Sequence, residues 1–267
     1  MKVLGITTTF MALVASIAAG VVPSDWKRDG KAIAASGFKR DDVNEDGVAY
    51  PGWKRDEAGE DGVAYPGWKR DDAEEEKAFS GKNVLVTGAS MGIGEAIARR
   101  VAAEGSNLAL IARSEDKLKG IAADLQKQYP SSKVVIKATD LKSYGSVEKA
   151  VNKTVKELGD IDVLINNAGL ALGAPATFPD LKVSDIVTMN STNINGLMFK
   201  TYAVLNSSMM RRKEGTILNV TSVTGLEVPP FPGEAVYHSN KAAQETFTNS
   251  LRNELTGTNI RVLALRP

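Results

Sequence analysis

Between Asn83 and Ala98 an apolar run, Asn-Val-Leu-Val-Thr, breaks on Gly88, Gly92 and Gly94 and resumes as a helix-forming segment, Glu-Ala-Ile-Ala. A buried strand that turns at once into a helix opens a βα unit, and such units assemble into parallel sheets with helices on the faces. Glycines let the backbone turn tightly and approach a pyrophosphate, which would rest on the amides at the helix N-terminus. The spacing is Thr-Gly-x-x-x-Gly-x-Gly, a variant of the Gly-x-Gly-x-x-Gly fingerprint. A strand–turn–helix with helpful glycines and no ligand is the bland alternative.

The alternation continues. Strands are predicted near Val84, Leu108, Val134, Val163, Ile217 and Val262, with helical patterns between them. That predicts an α/β fold, a doubly wound Rossmann-type parallel sheet of order 3-2-1-4-5-6 over residues 80–267, with its ligand at the carboxyl ends of the strands. At 43% hydrophobic content, a domain-sized core requires that most of it lie in this stretch. A net charge of +1 with interspersed signs gives no reason to propose nucleic acid. The absence of cysteine excludes disulfides and thiolate chemistry. His238, the single histidine, has no cysteines or clustered carboxylates beside it and makes no metal site.

The second βα unit bears on which nucleotide binds. Asn107-Leu-Ala-Leu-Ile-Ala is a buried strand, and its end is where a carboxylate would accept the ribose 2′-hydroxyl of NAD. Ala112 stands there instead, followed by Arg113 and Ser114. A guanidinium fits a 2′-phosphate, which favours NADP; a solvated strand-end charge is the alternative.

Tyr237 and Lys241 lie four residues apart, and Ser222 lies fifteen residues upstream of Tyr237. On a helix, positions i and i+4 share a face. A neighbouring ammonium favours the phenolate and is expected to pull the tyrosine from its usual value of ~10 toward neutrality, where acid–base catalysis is efficient. Ser222, at a strand end, could hold a substrate oxygen. A surface lysine beside a packed tyrosine is the competing account.

Taken together, residues 80–267 resemble the short-chain dehydrogenase/reductase family. Thr87 to Gly94, with Ser90 and Ile93 inside it, matches its cofactor loop, and Asp140-Leu141 its adenine contact. Asn166-Asn167-Ala168-Gly169 matches the segment closing the fourth strand. Asn193-Ile-Asn-Gly196, Ser222, Tyr237 and Lys241 match the catalytic groups. Within the family, Asn166 to Gly173 and Ser250 to Val262 resemble NADP-dependent 3-hydroxy acid dehydrogenases. The resemblance implies hydride transfer between NADP(H) and a small carbonyl or hydroxy compound. Tyr237 would give or take the hydroxyl proton, and Lys241 would depress its pKa and bind the nicotinamide ribose. Ser222 would hydrogen-bond the substrate oxygen, and Asn193 would anchor a water. Without the resemblance, Asn193 could merely satisfy a backbone group.

Two departures accompany the resemblance. The Ser222–Tyr237 interval is about two residues longer than the family's, through Leu226-Glu-Val-Pro-Pro-Phe-Pro-Gly233. At Pro267 the sequence stops after the sixth strand, where the family continues with a substrate-covering segment, a seventh strand and an oligomer-forming helix. Impaired activity is the expectation on that ground, and the homo-oligomer of complete family members becomes doubtful.

Residues 1–79 are of another kind. Met1-Lys2 and an uncharged, mainly apolar stretch closed by small residues at 15–20 predict a secretory signal peptide over residues 1–20. In residues 21–79 the segment Glu45 to Asp56 recurs at Glu60 to Asp71, and acidic spacers with few aliphatics predict disorder. Lys27-Arg28, Lys39-Arg40, Lys54-Arg55 and Lys69-Arg70 each follow an aromatic residue and precede Asp. The pattern resembles fungal precursors cut by a kexin-type protease into repeat peptides, of the pheromone or cyclic ribosomal kind. That makes a secreted precursor the alternative function, and the expected origin either a joining of two neighbouring reading frames near Ala78–Lys82 or an unspliced gene model running from a precursor gene into a dehydrogenase. The signal points to the secretory pathway, whereas a separately translated dehydrogenase would be cytoplasmic.

Overall fold

The computed structural model describes residues 78–173, 176–228 and 232–267. The signal-peptide expectation, the repeats and all four Lys-Arg sites lie outside the described residues.

Six strands form one parallel sheet. In chain order they are β1 (Asn83–Thr87), β2 (Asn107–Ala112), β3 (Val134–Ala138), β4 (Val163–Asn166), β5 (Glu214–Val220) and β6 (Asn259–Leu265). The spatial order is β3-β2-β1-β4-β5-β6, as the alternating pattern predicts. The helices between them are α1 (Gly92–Ala103), α2 (Glu115–Gln128), α3 (Tyr144–Leu158), α4 (Val183–Met189), α5 (Gly196–Val204), α6 (Met210–Arg212) and α7 (Ala235–Glu254). α4, α5 and α6 follow one another through two π-helical turns, Asn190–Asn195 and Leu205–Met209.

Side chains alternate across each strand, so the sheet buries two separate cores. Val84, Val86, Leu108, Leu110, Ile165 and Leu218 pack with Ile97, Val101, Leu118 and Leu125 of α1 and α2. On the other face Leu85, Ile111, Leu164 and Ile217 pack with Val147 and Val151 of α3, Val204 of α5 and Leu251 of α7. β1 is paired on both sides, Val84 opposite Leu108 of β2 and Val163 of β4. The chain therefore leaves β1 and β4 in opposite directions, and a crevice opens between their carboxyl ends.

Candidate active site

The crevice is a cleft of about 420 Å³. One wall begins at the glycine turn. Gly88 donates its N–H to the Ile111 carbonyl and has a left-handed φ of 68°. A Cβ on Gly94 would stand 2.2 Å from the Gly88 carbonyl oxygen and 2.5 Å from Asn167 Nδ2. Gly94 therefore serves the packing of α1 on the turn, which corrects the reading that all three glycines admit a phosphate. Gly92 is different: its φ is 59°, and nothing lies within 4 Å of where a Cβ would be. Gly88, Ser90 and Ile93 line the cleft; Gly92 and Gly94 belong to the first turn of α1 and are not among the lining residues.

Thr87, buried, ties this turn to β4. Its Oγ1 donates to the Ile165 carbonyl and accepts the N–H groups of Asn167 and Ala168, each at 3.2 Å. Asn167 Nδ2 donates to the Thr87 carbonyl at 3.0 Å, so this side chain buttresses the glycine turn while its residue, with Ala168 and Gly169, lines the cleft. Arg113 and Ser114 form the rim at the end of β2, exposed, and among the described residues no ion pair or hydrogen bond holds the guanidinium. Asp140 and Leu141 lie beside them, Asp140 Oδ1 accepting the Lys142 N–H at 3.0 Å. The left-handed Gly88, Ser90 and the exposed Arg113 guanidinium along one wall fit a phosphorylated dinucleotide.

On the opposite wall stand Ser222, Tyr237 and Lys241. The helix places Tyr237 and Lys241 on one face, with Lys241 Nζ 5.5 Å from the ring centroid. The ammonium donates to the Val220 carbonyl at 2.9 Å, and no hydrogen bond joins it to the phenol. The expected depression of the tyrosine is overturned for the ligand-free protein: burial raises the Tyr237 phenol above its ordinary value, and the Glu234 charge adds to this. Desolvation, not the neighbouring cation, sets the direction. Burial also holds Lys241 down at about 8, against the pull of the Glu245 carboxylate one turn further on.

Ser222 follows β5 by two residues in extended conformation, and its Oγ accepts the Thr224 N–H at 3.3 Å. The turn it caps rests on α7, where a Cβ on Gly225 would come within 2.9 Å of the Lys241 backbone. His238 Nδ1 meets the Thr224 carbonyl, so the lone histidine fixes this turn and does not line the cleft. Residues 229–231 of the lengthened interval lie outside the described residues.

Asn193 sits in the first π turn, fully buried. Its Oδ1 accepts the Leu170 N–H at 2.9 Å, and its Nδ2 donates to the Leu170 carbonyl and to Asn240 Oδ1. Its own carbonyl accepts from Gln244 Nε2 at 2.7 Å. The side chain holds the segment after β4 in place and is not part of the lining, where Thr192 stands instead.

Sequence reasoning missed Lys200. Its side chain is fully buried on α5 and donates to Thr87 Oγ1 at 3.4 Å. The signal was a lone cation in Leu-Met-Phe-Lys-Thr-Tyr-Ala-Val, a helical run with no polar face to receive it.

Comparison with known proteins agrees with this geometry. The sequence profile of the short chain dehydrogenase family matches residues 82–267. An NADP-dependent 3-hydroxy acid dehydrogenase of Schizosaccharomyces pombe is 42% identical over 188 residues, 70% of this chain and 71% of the relative. Sulfoacetaldehyde reductase 2 of Chromohalobacter salexigens is 39% identical over 188 residues, 69% of this chain and 71% of the relative. Among solved structures, the closed form of a serine dehydrogenase complexed with NADP+ superposes with a TM-score of 0.64 at 35% identity, covering 69% of this chain and 71% of that one.

Proposed function

The chain belongs to the short chain dehydrogenase family, and from that premise we propose that it is an NADP-dependent oxidoreductase acting on a small hydroxy or keto acid, a 3-hydroxy acid being the favoured class. One observation carries the reading: Tyr237 and Lys241 face the same cleft as the glycine turn and the unengaged Arg113. The compounds named for the relatives above, a 3-hydroxy acid, sulfoacetaldehyde and serine, are all small and acid-bearing, which supports the substrate class.

Bound along this cleft, NADPH supplies the hydride. Ser90 and the amides around Gly92 would hold its pyrophosphate, and Arg113 with Ser114 would hold its 2′-phosphate. Everything else is done by the chain. Because Tyr237 is raised above its ordinary value, it stands protonated and able to give that proton to a carbonyl oxygen. Ser222 Oγ already accepts the Thr224 N–H, which leaves its own hydrogen to donate to the same oxygen. Lys241, below its ordinary range yet charged at neutral pH, stabilises the tyrosinate left behind. In the reverse direction the tyrosinate takes the hydroxyl proton back.

The test is NADPH oxidation by the purified chain with a panel of 3-keto acids, 2-amino-3-keto acids and uncharged ketones. Tyr237→Phe should lose turnover while cofactor binding persists. Unchanged turnover in that variant would remove Tyr237 from the role given to it, and faster reduction of the uncharged ketones would remove the acid from the substrate class.

A further inference from the structure

Lys200 is a charge without a counter-charge. The side chain has no exposed surface, and among the described residues no carboxylate lies within ion-pair reach of it. An ammonium carries three donors. The acceptor it finds, Thr87 Oγ1, already receives the N–H groups of Asn167 and Ala168. Nor do the packed elements around it help. From α3 come Val147, Ala150, Val151 and Thr154 as buried residues, with Glu148 and Lys149 turned to solvent. β4 and the two π turns bring no titratable group. α7 brings Lys241, a second cation, whose charge acts on Lys200, and Glu245, a buried carboxylate already held by the Thr221 hydroxyl and the Arg266 guanidinium. Burial first and that repulsion second hold the free amine down at about 7.

A buried, unpaired cation is costly, and a well-fitting apolar side chain in its place is often neutral or stabilising. Lys200 stands directly beneath the cofactor wall, since Thr87 precedes Gly88 and its hydroxyl holds the Asn167–Ala168 backbone that lines the cleft. We propose that Lys200 is a proton-linked positioning residue for the cofactor: the negative charge of a dinucleotide in the cleft above it supplies the counter-charge that the fold withholds, so binding draws a proton onto this amine. The inference rests on the dinucleotide reading of the cleft but not on the choice of substrate or on activity.

Calorimetric titration of the full chain with NADPH, and separately with NADH, in buffers of different ionisation heat measures the protons taken up. At pH 8 a 2′-phosphate is already fully ionised, so it contributes none. The wild-type chain should take up more protons than Lys200→Met, by up to about 0.9 per nucleotide for an amine that titrates near 7 when free. The variant should bind NADPH about tenfold more weakly at pH 8, and its ligand-free form should unfold at a temperature no lower than the wild type's. A structural lysine would give the opposite stability result. Equal uptake in both proteins would overturn the proposal and move the proton to Lys241. Collapse of both Lys200→Met and Lys200→Gln would overturn it as well, because an amine that burdens the free fold cannot be its keystone. If neither nucleotide binds the wild type, the cofactor reading fails first and takes this one with it. If binding occurs without any proton difference, this one fails alone.

Discussion

Under α1 and α2 the strands of the sheet bury mainly hydrocarbon, from Val84 and Leu110 to Ile165 and Val220, Thr216 near the start of β5 being a buried hydroxyl that accepts from Arg261. Under α3, α5 and α7 the same strands place Thr87, Asn166 and Asn219 among their leucines and isoleucines. There Asn166 Nδ2 donates to Thr201 Oγ1 and to Asn219 Oδ1, and Asn219 Nδ2 donates to Thr248 Oγ1. Thr248 in turn donates to the Gln244 carbonyl, and Gln244 reaches Asn193. One sheet thus has a dry face that contributes stability and a hydrogen-bonded face that fixes geometry. Every group assigned to proton transfer, Ser222 in the turn after β5 apart, stands on a helix packed over the second face. Directional bonds set angles as well as distances, and apolar contact does not.

Substitutions that treat the two faces alike in chemistry but not in consequence will test this contrast. Tyr237→Phe has the largest expected effect, a loss of about 10²- to 10⁴-fold in turnover with cofactor affinity and folding unchanged; steady-state kinetics beside a binding titration would show it. On the dry face, Leu110→Ala should lower stability by roughly 2–5 kcal/mol in urea unfolding while leaving turnover per folded molecule intact. Arg113→Ala should cost NADPH about 1.5–3 kcal/mol of binding and leave NADH nearly untouched, seen as a changed ratio of the two KM values. Asn219→Ala removes less stability, about 1–3 kcal/mol, yet should also reduce turnover because the chain of bonds to Asn193 is cut. If its kinetics matched those of Leu110→Ala, the division between the faces would be lost. The last effect concerns pH. Lys200 and Lys241 are both held below the ordinary amine value of 10.5. The unfolded chain therefore binds more protons than the folded one from about pH 7 up to that value. Stability should accordingly rise with pH across this window, by roughly 1 kcal/mol per pH unit per fully coupled group, and fall away toward pH 7. Denaturant midpoints at pH 7, 8 and 9 would measure the slope.

Much of this was open to reading before any coordinates. Each strand falls where its apolar run stood, because a parallel strand buried on both faces leaves a short unbroken hydrophobic segment. The site residues Ser90, Arg113, Ser222, Tyr237 and Lys241 are brought into one cleft, since the glycine turn and the Tyr-x-x-x-Lys spacing are local facts of a strand end and a helix face. What could not be read was non-local. Nothing in the neighbourhood of Gly94 says that a carbonyl six residues away along the chain touches it. Asn166 and Asn219 look like ordinary polar residues until the parallel register sets them side by side. The direction of the Tyr237 shift was misjudged for a related reason: spacing reveals a neighbouring cation, but the extent of burial depends on everything packed around the pair.

The register of β1 also dictates the order in which the molecule can be assembled on the ribosome. Val84 pairs with Leu108 on one side and with Val163 on the other. While the intervening chain is synthesised, one edge of the central strand has no partner, and a nascent three-stranded piece must wait, sticky along that edge, for β4 to emerge. The parts of the nucleotide wall up to Leu141 are contained in that early piece, the Asn167–Gly169 part arrives with β4, and the tyrosine and lysine arrive only with α7. Translation therefore finishes the binding half before the reactive half exists, and a chaperone guarding this enzyme would be needed most in that interval.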